Sequence, residues 1–124
     1  MSNVVNLFEL PKCEQQHYLK IGIEYMHGDG VVVLDKHCGC SCSNIYFDKF
    51  TLKVHHPTSP AITHHNGNWF YFNQGKVHRL DGPYSGKDDQ NYGLWAINGK
   101  IFISKKEWEI EKYLFENPEV RAFT

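Results

Sequence analysis

The sequence predicts a mainly β protein of the α+β kind, an antiparallel meander of repeated β-hairpins with one C-terminal capping α-helix at about residues 105–116. Three observations predict it. The stretch Trp69-Phe-Tyr-Phe-Asn-Gln-Gly-Lys-Val-His-Arg-Leu-Asp-Gly-Pro83 reads as an aromatic strand, a glycine turn, a short basic strand and a second turn, the pattern of a hairpin. Imperfect copies of it lie on both sides, at shifts of 23 and 24 residues, as expected of units that bury one another. Ser104, with Glu107 three residues on, opens an amphipathic run that stops at Asn117-Pro118, the start and stop signals of a helix.

A chain of 124 residues is one domain by length and buries a core without disulfides. Its expected parts are an N-terminal hairpin with a Cys-rich loop (1–44), the hairpin repeats (45–103) and the helix with its tail (104–124). Residues 1–12 mix apolar and polar side chains and are interrupted by Pro11, so they read as an irregular arm or an edge strand. From Tyr18 to Met26, Leu19, Ile21, Ile23 and Tyr25 alternate with Lys20, Gly22 and Glu24, which predicts a half-buried strand. His27-Gly-Asp-Gly30 then turns the chain into the β-branched run Val31–Leu34, making a hairpin. The small and polar residues from His37 to Asn44 predict a loop. Strand character resumes at Ile45-Tyr-Phe47 and continues through Phe50, Leu52 and Val54.

The repeat begins there. Lys53-Val-His-His-Pro-Thr-Ser-Pro60 falls on Lys76-Val-His-Arg-Leu-Asp-Gly-Pro83, and Tyr46 and Phe47 fall on Trp69 and Phe70. A further shift lays Tyr71-Phe-Asn-Gln-Gly-Lys76 over Trp95-Ala-Ile-Asn-Gly-Lys100. Asn66-Gly67 and Asn98-Gly99 supply the positive φ angles of two-residue hairpin turns, Gln74-Gly75 approximates them, and Asp81-Gly-Pro83 ends a strand where proline has no N–H to donate. Trp69 and Tyr71 face one way along the strand, Phe70 and Phe72 the other, so something besides the sheet must cover one face. The helix offers that cover. It is entered by a capping box at Ser104 and Glu107 and a hydrophobic staple of Ile103 on Trp108, and it carries an apolar stripe of Ile110, Tyr113 and Leu114. Residues 119–124 read as a loose tail.

The units resemble a repeat of small proteins of bacteriophages and other large viruses, Trp-Tyr-x-Asn-Gly-Lys-x-His-Arg-x-Asp-Gly-Pro-Ala in idealised form, itself similar to the MORN-type hairpin repeats. The likeness covers roughly Tyr46 to Trp108 and is closest at Gly75-Lys-Val-His-Arg-Leu-Asp-Gly-Pro83. The first unit departs from it with Leu52 at the glycine position, His56 at the arginine and Thr58-Ser59 at the Asp-Gly. The last has Ile101-Phe102-Ile103 in place of His-Arg. The resemblance implies a viral origin and a hairpin sheet, and it implies no chemistry.

Composition narrows the function classes. A formal net charge of −1 makes nucleic acid an unlikely partner, because counterion release needs a basic face. The N-terminus lacks a basic segment followed by an apolar run, and no stretch reaches membrane-spanning length, so the expectation is an intracellular protein with no membrane partner. Three of the four cysteines crowd into His37-Cys38-Gly-Cys40-Ser-Cys42, unlike a secreted disulfide framework. His37, Cys38, Cys40 and Cys42 are candidate zinc ligands, set against reduced thiols in a loop, since the alternating spacing is poor for a knuckle. No other cofactor is implied.

His55 and His78 hold the same place in successive units, which favours a structural part, a ring nitrogen bonded to the neighbouring turn, over catalysis. Arg79 and Asp81 suggest an ion pair that stabilises the turn, with anion binding by Lys76, His78 and Arg79 as the alternative. No catalytic motif stands out. The expectation is therefore a non-enzymatic bacteriophage protein, acting in the host cytoplasm, that binds and inhibits a host protein such as a defence factor. Its expected contact residues are Trp69, Tyr71, Lys76, His78, Arg79, Tyr84, Tyr92 and Trp95, some of the aromatic ones being exposed on the face opposite the helix as anchors. The alternatives are a protein that sequesters a nucleotide and a zinc-stabilised structural module.

Overall fold

The computed structural model of the protein describes residues 3–27, 30–34 and 42–121. The N-terminal arm takes the edge-strand form. Val4–Asn6 (β1) pairs antiparallel with Cys42–Asp48 (β4), Val5 opposite Phe47. Asn6 then turns the chain, its Oδ1 accepting from Phe8 N at 3.2 Å and from Ile45 N at 3.2 Å while its Nδ2 donates to Asn44 Oδ1 at 2.6 Å. A buried amide whose oxygen and nitrogen both find partners joins the arm to β4, as buried polar groups require.

The alternation from Tyr18 to Met26 is not a strand throughout. Lys12–Ile21 is an α-helix (α1), and only Ile23–His27 (β2) is extended. Pro11 stands at its N-cap, strong helix formers follow, and Gly22 at φ +101° ends it, donating its N–H to Tyr18 O at 2.8 Å, the Pro-before, Gly-after asymmetry of a helix. Tyr18 and Leu19 pack on the core, with Tyr18 edge-on to Phe47 at 4.9 Å, while Ile21, expected inward, is exposed.

β2 forms the expected hairpin with Gly30–Leu34 (β3), Tyr25 opposite Val32. Strand β4 begins earlier than expected, so Cys42, Ser43 and Asn44 belong to a strand and not to a loop. Conversely, Phe50 and Leu52 are not strand residues. The chain turns over residues 49–52, and Lys53–Val54 (β5) runs back along β4 with Asp48 opposite Lys53. Leu52 holds φ +57° and Phe50 is exposed.

Ile62–His64 (β6) and Asn68–Phe70 (β7) follow as a hairpin, then Phe72–Asn73 (β8) with Lys76–Val77 (β9), Ser85–Lys87 (β10) with Gln90–Asn91 (β11), and Trp95–Ile97 (β12) with Lys100–Phe102 (β13). The strands form one mixed sheet in the order β11-β10-β7-β6-β4-β5-β2-β3, with β1 on β4, and two separate ribbons, β8-β9 and β12-β13. The class is mainly β, as expected. The strand order differs from a single antiparallel meander, because β5 lies parallel to β2 and pairs with it at Glu24 and Lys53.

The main core gathers Leu7, Ile23, Leu34, Ile45, Phe47, Val54, Ala61, Ile62 and Phe72; a second contains Ile97, Phe102 and Trp108. The helix Lys105–Glu116 (α2) starts as expected, Ser104 Oγ accepting from Glu107 N at 3.3 Å. It docks through Trp108, 4% exposed, whose Nε1 donates to Arg79 O at 3.2 Å. The staple is absent, because Ile103 is 82% exposed. Nor is Ile110-Tyr113-Leu114 the covered stripe: Ile110 is 54% and Tyr113 56% exposed. A two-stranded ribbon offers one narrow row of apolar side chains, and Trp108 fills it. Beyond Asn117, residues Pro118–Arg121 form a short helical turn (α3) in place of the expected loose start to the tail.

Candidate functional site: the cleft beside Arg79

The site is built from three turns. Gln74 (φ +49°) and Gly75 (φ +80°) join β8 to β9, and Asn98 (φ +47°) and Gly99 (φ +90°) join β12 to β13, both central residues positive in the manner that twisted two-residue hairpins need. Leu52 occupies the corresponding place at the end of a longer turn. Gly75 N donates to Val54 O at 2.7 Å and Gly99 N to Val77 O at 2.8 Å. The residues after these acceptors continue the pattern. His55 Nδ1 accepts from Gln74 N at 3.1 Å, and His78 Nδ1 accepts from Asn98 N at 2.9 Å. His56 N donates to Phe72 O at 3.2 Å and Arg79 N to Ala96 O at 3.0 Å. The ring nitrogen bonded to the neighbouring turn, expected for His55 and His78, is what both histidines provide.

The two histidines share a cleft of about 370 Å³, lined among others by His55, His56, Tyr71, Phe72, His78 and Arg79. The protonation of its histidines follows from their bonds. His56 Nδ1 accepts from Thr58 N at 3.1 Å and Ser59 N at 2.9 Å. In all three rings Nδ1 is an acceptor, so the proton of the neutral imidazole sits on Nε2. Burial lowers the pKa of His78, and burial together with the neighbouring His55 lowers that of His56, because both disfavour the charged ring.

Arg79 is the cation of the cleft. Its Nη1 donates to Pro83 O at 2.9 Å, and its guanidinium carbon stands 4.1 Å from the centre of the Tyr71 ring and 6.0 Å from that of Trp69, a stacked arrangement that favours Arg over Lys. The expected ion pair with Asp81 is not formed: the guanidinium turns to the Pro83 carbonyl, and Asp81 is exposed. Nε of Arg79 is buried without a hydrogen-bond partner.

The expected contact residues separate. Tyr71, His78 and Arg79 meet at the cleft, with Trp69 behind Arg79. Trp69 is half-buried, its Nε1 donating to Asp88 O at 2.8 Å, and its ring closes on Gly86, where a Cβ would come within 2.4 Å of it. Lys76 lies elsewhere, lining a smaller cleft of about 130 Å³ with Tyr25 and Met26. Tyr84, one of the expected contact residues, is buried at 8%, because its backbone bonds both Tyr71 N and Leu94 O and holds its ring inside. Trp95 is half-buried and packs against Trp108 with ring centres 6.4 Å apart. Tyr92 is exposed, its hydroxyl bonded to Asn68 Oδ1.

Sequence reasoning passed over His56 as a lining residue, although its alignment with Arg79 marked it. It also passed over the exposed face of α2. His37, Cys38 and Cys40, and the side chain of Cys42, lie outside the described residues; Cys13 is a free, exposed thiol. Among the described residues no group of three or more His, Cys, Asp or Glu is placed to hold a metal, and no helix is long and apolar enough to cross a membrane. Comparison with protein-family models, with curated proteins and with solved structures finds no match for the chain.

Proposed function

We propose that the protein is a non-enzymatic interaction module that binds a protein partner, with α2 as the contact element. One observation carries this reading. Ile110 and Tyr113, three residues apart on one helical face, and Ile103 at the helix entry are large, apolar and mostly in water, whereas the helix itself is already anchored by Trp108. Exposed apolar and aromatic side chains on an element that does not need them for docking are what a recognition surface requires. The histidines of the cleft support the non-enzymatic part, since each spends its Nδ1 on a backbone N–H.

The hairpin resemblance adds the rest of the proposal: a repeat array of bacteriophage type whose partner is a host protein, such as a defence factor, that it inhibits in the host cytoplasm. The nucleotide-sequestering alternative has less behind it, because among the described residues Arg79 is the one arginine or lysine lining the cleft and no glycine-rich loop opens a helix there.

The test is capture from bacterial lysate by the immobilised protein, run in parallel with Ile110→Asp and Tyr113→Asp variants and read by mass spectrometry. A host protein retained by the parent chain and lost from both variants supports the reading. Retention unaffected by both substitutions, or no specific retention at all, refutes it.

A further inference from the structure

We propose that the cleft beside Arg79 is a binding site for a single carboxylate group carried on an apolar or aromatic body. Arg79 forms no ion pair with any described residue. Its Nη1 is tied to Pro83 O and its Nε is buried. The remaining nitrogen, Nη2, has no hydrogen bond to a described residue and is not buried. A guanidinium set 4.1 Å from the centre of the Tyr71 ring, with its Nε out of water, is costly without a counter-charge. Its contact with the ring offsets part of that cost, and an anion arriving at the open edge would offset more.

The remaining lining selects the anion. His55, His56 and His78 each accept at Nδ1 and so present Nε2–H, a donor without a charge, as their second polar group. Among the described residues the cleft is therefore lined by one basic side chain and three imidazoles whose free nitrogen is a neutral donor, with Asp81 also on its wall. A monoanion matches the single charge of Arg79, Asp81 being exposed to water, whereas a phosphate dianion brings a second negative charge beside Asp81. Phe72, Leu80 and Pro57 line the same cleft and favour a ligand whose acid is attached to apolar atoms. The carboxylate has two sources, a free organic acid or an acidic side chain of a bound protein. The second source rests on the protein-binding reading above.

Titration followed by NMR tests the site, because a buried Nε–H exchanges slowly with water and gives Arg79 its own signal. Benzoate is expected to shift that signal saturably, and benzamide, of the same shape without the charge, to leave it in place. Arg79→Gln is expected to weaken benzoate binding by at least about tenfold, the loss of one charge-assisted hydrogen bond. The parent-chain comparison of benzoate with benzamide stands even if that variant does not fold. A blocked peptide with a phenylalanine next to a glutamate is titrated as the third arm. Tighter binding of the peptide than of benzoate assigns the site to a protein ligand, and the reverse assigns it to a free acid. Equal shifts with benzoate and benzamide, unchanged affinity in a folded Arg79→Gln, or tighter binding of inorganic phosphate than of benzoate would overturn the proposal. None of these readouts involves Ile110 or Tyr113, so this site and the α2 surface fail or stand separately.

Discussion

His78 holds Asn98 through a single bond, ring Nδ1 accepting the backbone N–H at 2.9 Å, and an imidazole can do this only while it is unprotonated. Stability should accordingly depend on pH near neutrality. His56 and His78 have folded pKa values below the ordinary 6.5, so the unfolded chain takes up protons first as pH falls. Their contribution is complete above about pH 6.5 and is lost as pH drops through 6.5 toward the folded values. Urea unfolding at a series of pH values should show stability declining over that window, and the double variant His56→Ala/His78→Ala should flatten the decline. An equally steep slope in the double variant would contradict this origin.

A second pH effect belongs to Asp48. Its Oδ2 accepts from Gln74 Nε2 at 3.0 Å, and its Oδ1 accepts from Phe50 N at 2.8 Å and Thr51 N at 3.3 Å. These bonds, the Gln74 one foremost, outweigh desolvation and lower its pKa below the ordinary 3.8. A depressed carboxylate stabilises the fold above the unfolded value and loses that effect as pH falls through the folded one. Asp48→Ala should cost about 1 kcal/mol at neutral pH, and the gap between parent and variant in chemical denaturation should close in acid.

Gly86 has no room for a side chain. A Cβ there would stand 2.2 Å from Gln90 O and 2.4 Å from the Trp69 ring, and neither the strand partner nor a ring held by its bond to Asp88 O can withdraw freely. Gly86→Ala should destabilise by about 1–3 kcal/mol, the usual cost of overpacking, measured by thermal or urea unfolding.

Trp108→Ala removes both the anchor of α2 and the donor to Arg79 O. A loss of about 3–5 kcal/mol is expected, with weakened helical circular dichroism. Ile110→Asp and Tyr113→Asp, by contrast, should stay within about 0.5 kcal/mol of the parent, as exposed substitutions do.

The β8-β9 and β12-β13 turns were legible in the sequence because glycine and asparagine at positive φ are local requirements, visible in Asn98-Gly99 without any knowledge of the fold; at Asn66-Gly67, expected to be alike, only the glycine holds a positive φ, because the β6-β7 connection is longer than two residues. The shared role of His55 and His78 was legible for a related reason, their equal spacing from those turns. Helix α1 was misread because Leu19, Ile21, Ile23 and Tyr25 alternate across a helix end; the bracket of Pro11 and Gly22 was the better signal. Asn6 could not be found, since its partners Asn44 and Ile45 lie 38 and 39 residues away. The Arg79–Asp81 pair was inferred from proximity in sequence, and Tyr71, brought close by the turn, took Arg79 instead. The face of α2 was misassigned because periodicity tells which residues share a side, and only the width of the β12-β13 ribbon decides which side is covered.

Strand β2 has a role apart from its hairpin with β3. Glu24 N donates to Leu52 O at 2.9 Å and Met26 N to Gly75 O at 2.6 Å, so two residues of one extended strand meet two successive turns. Two residues of strand span about 6.6 Å, and β2 thereby acts as a ruler that sets the pitch between those turns. A single residue inserted between Glu24 and Met26 would throw the marks out of phase and leave one turn carbonyl without its donor, even with every residue of the turns themselves untouched.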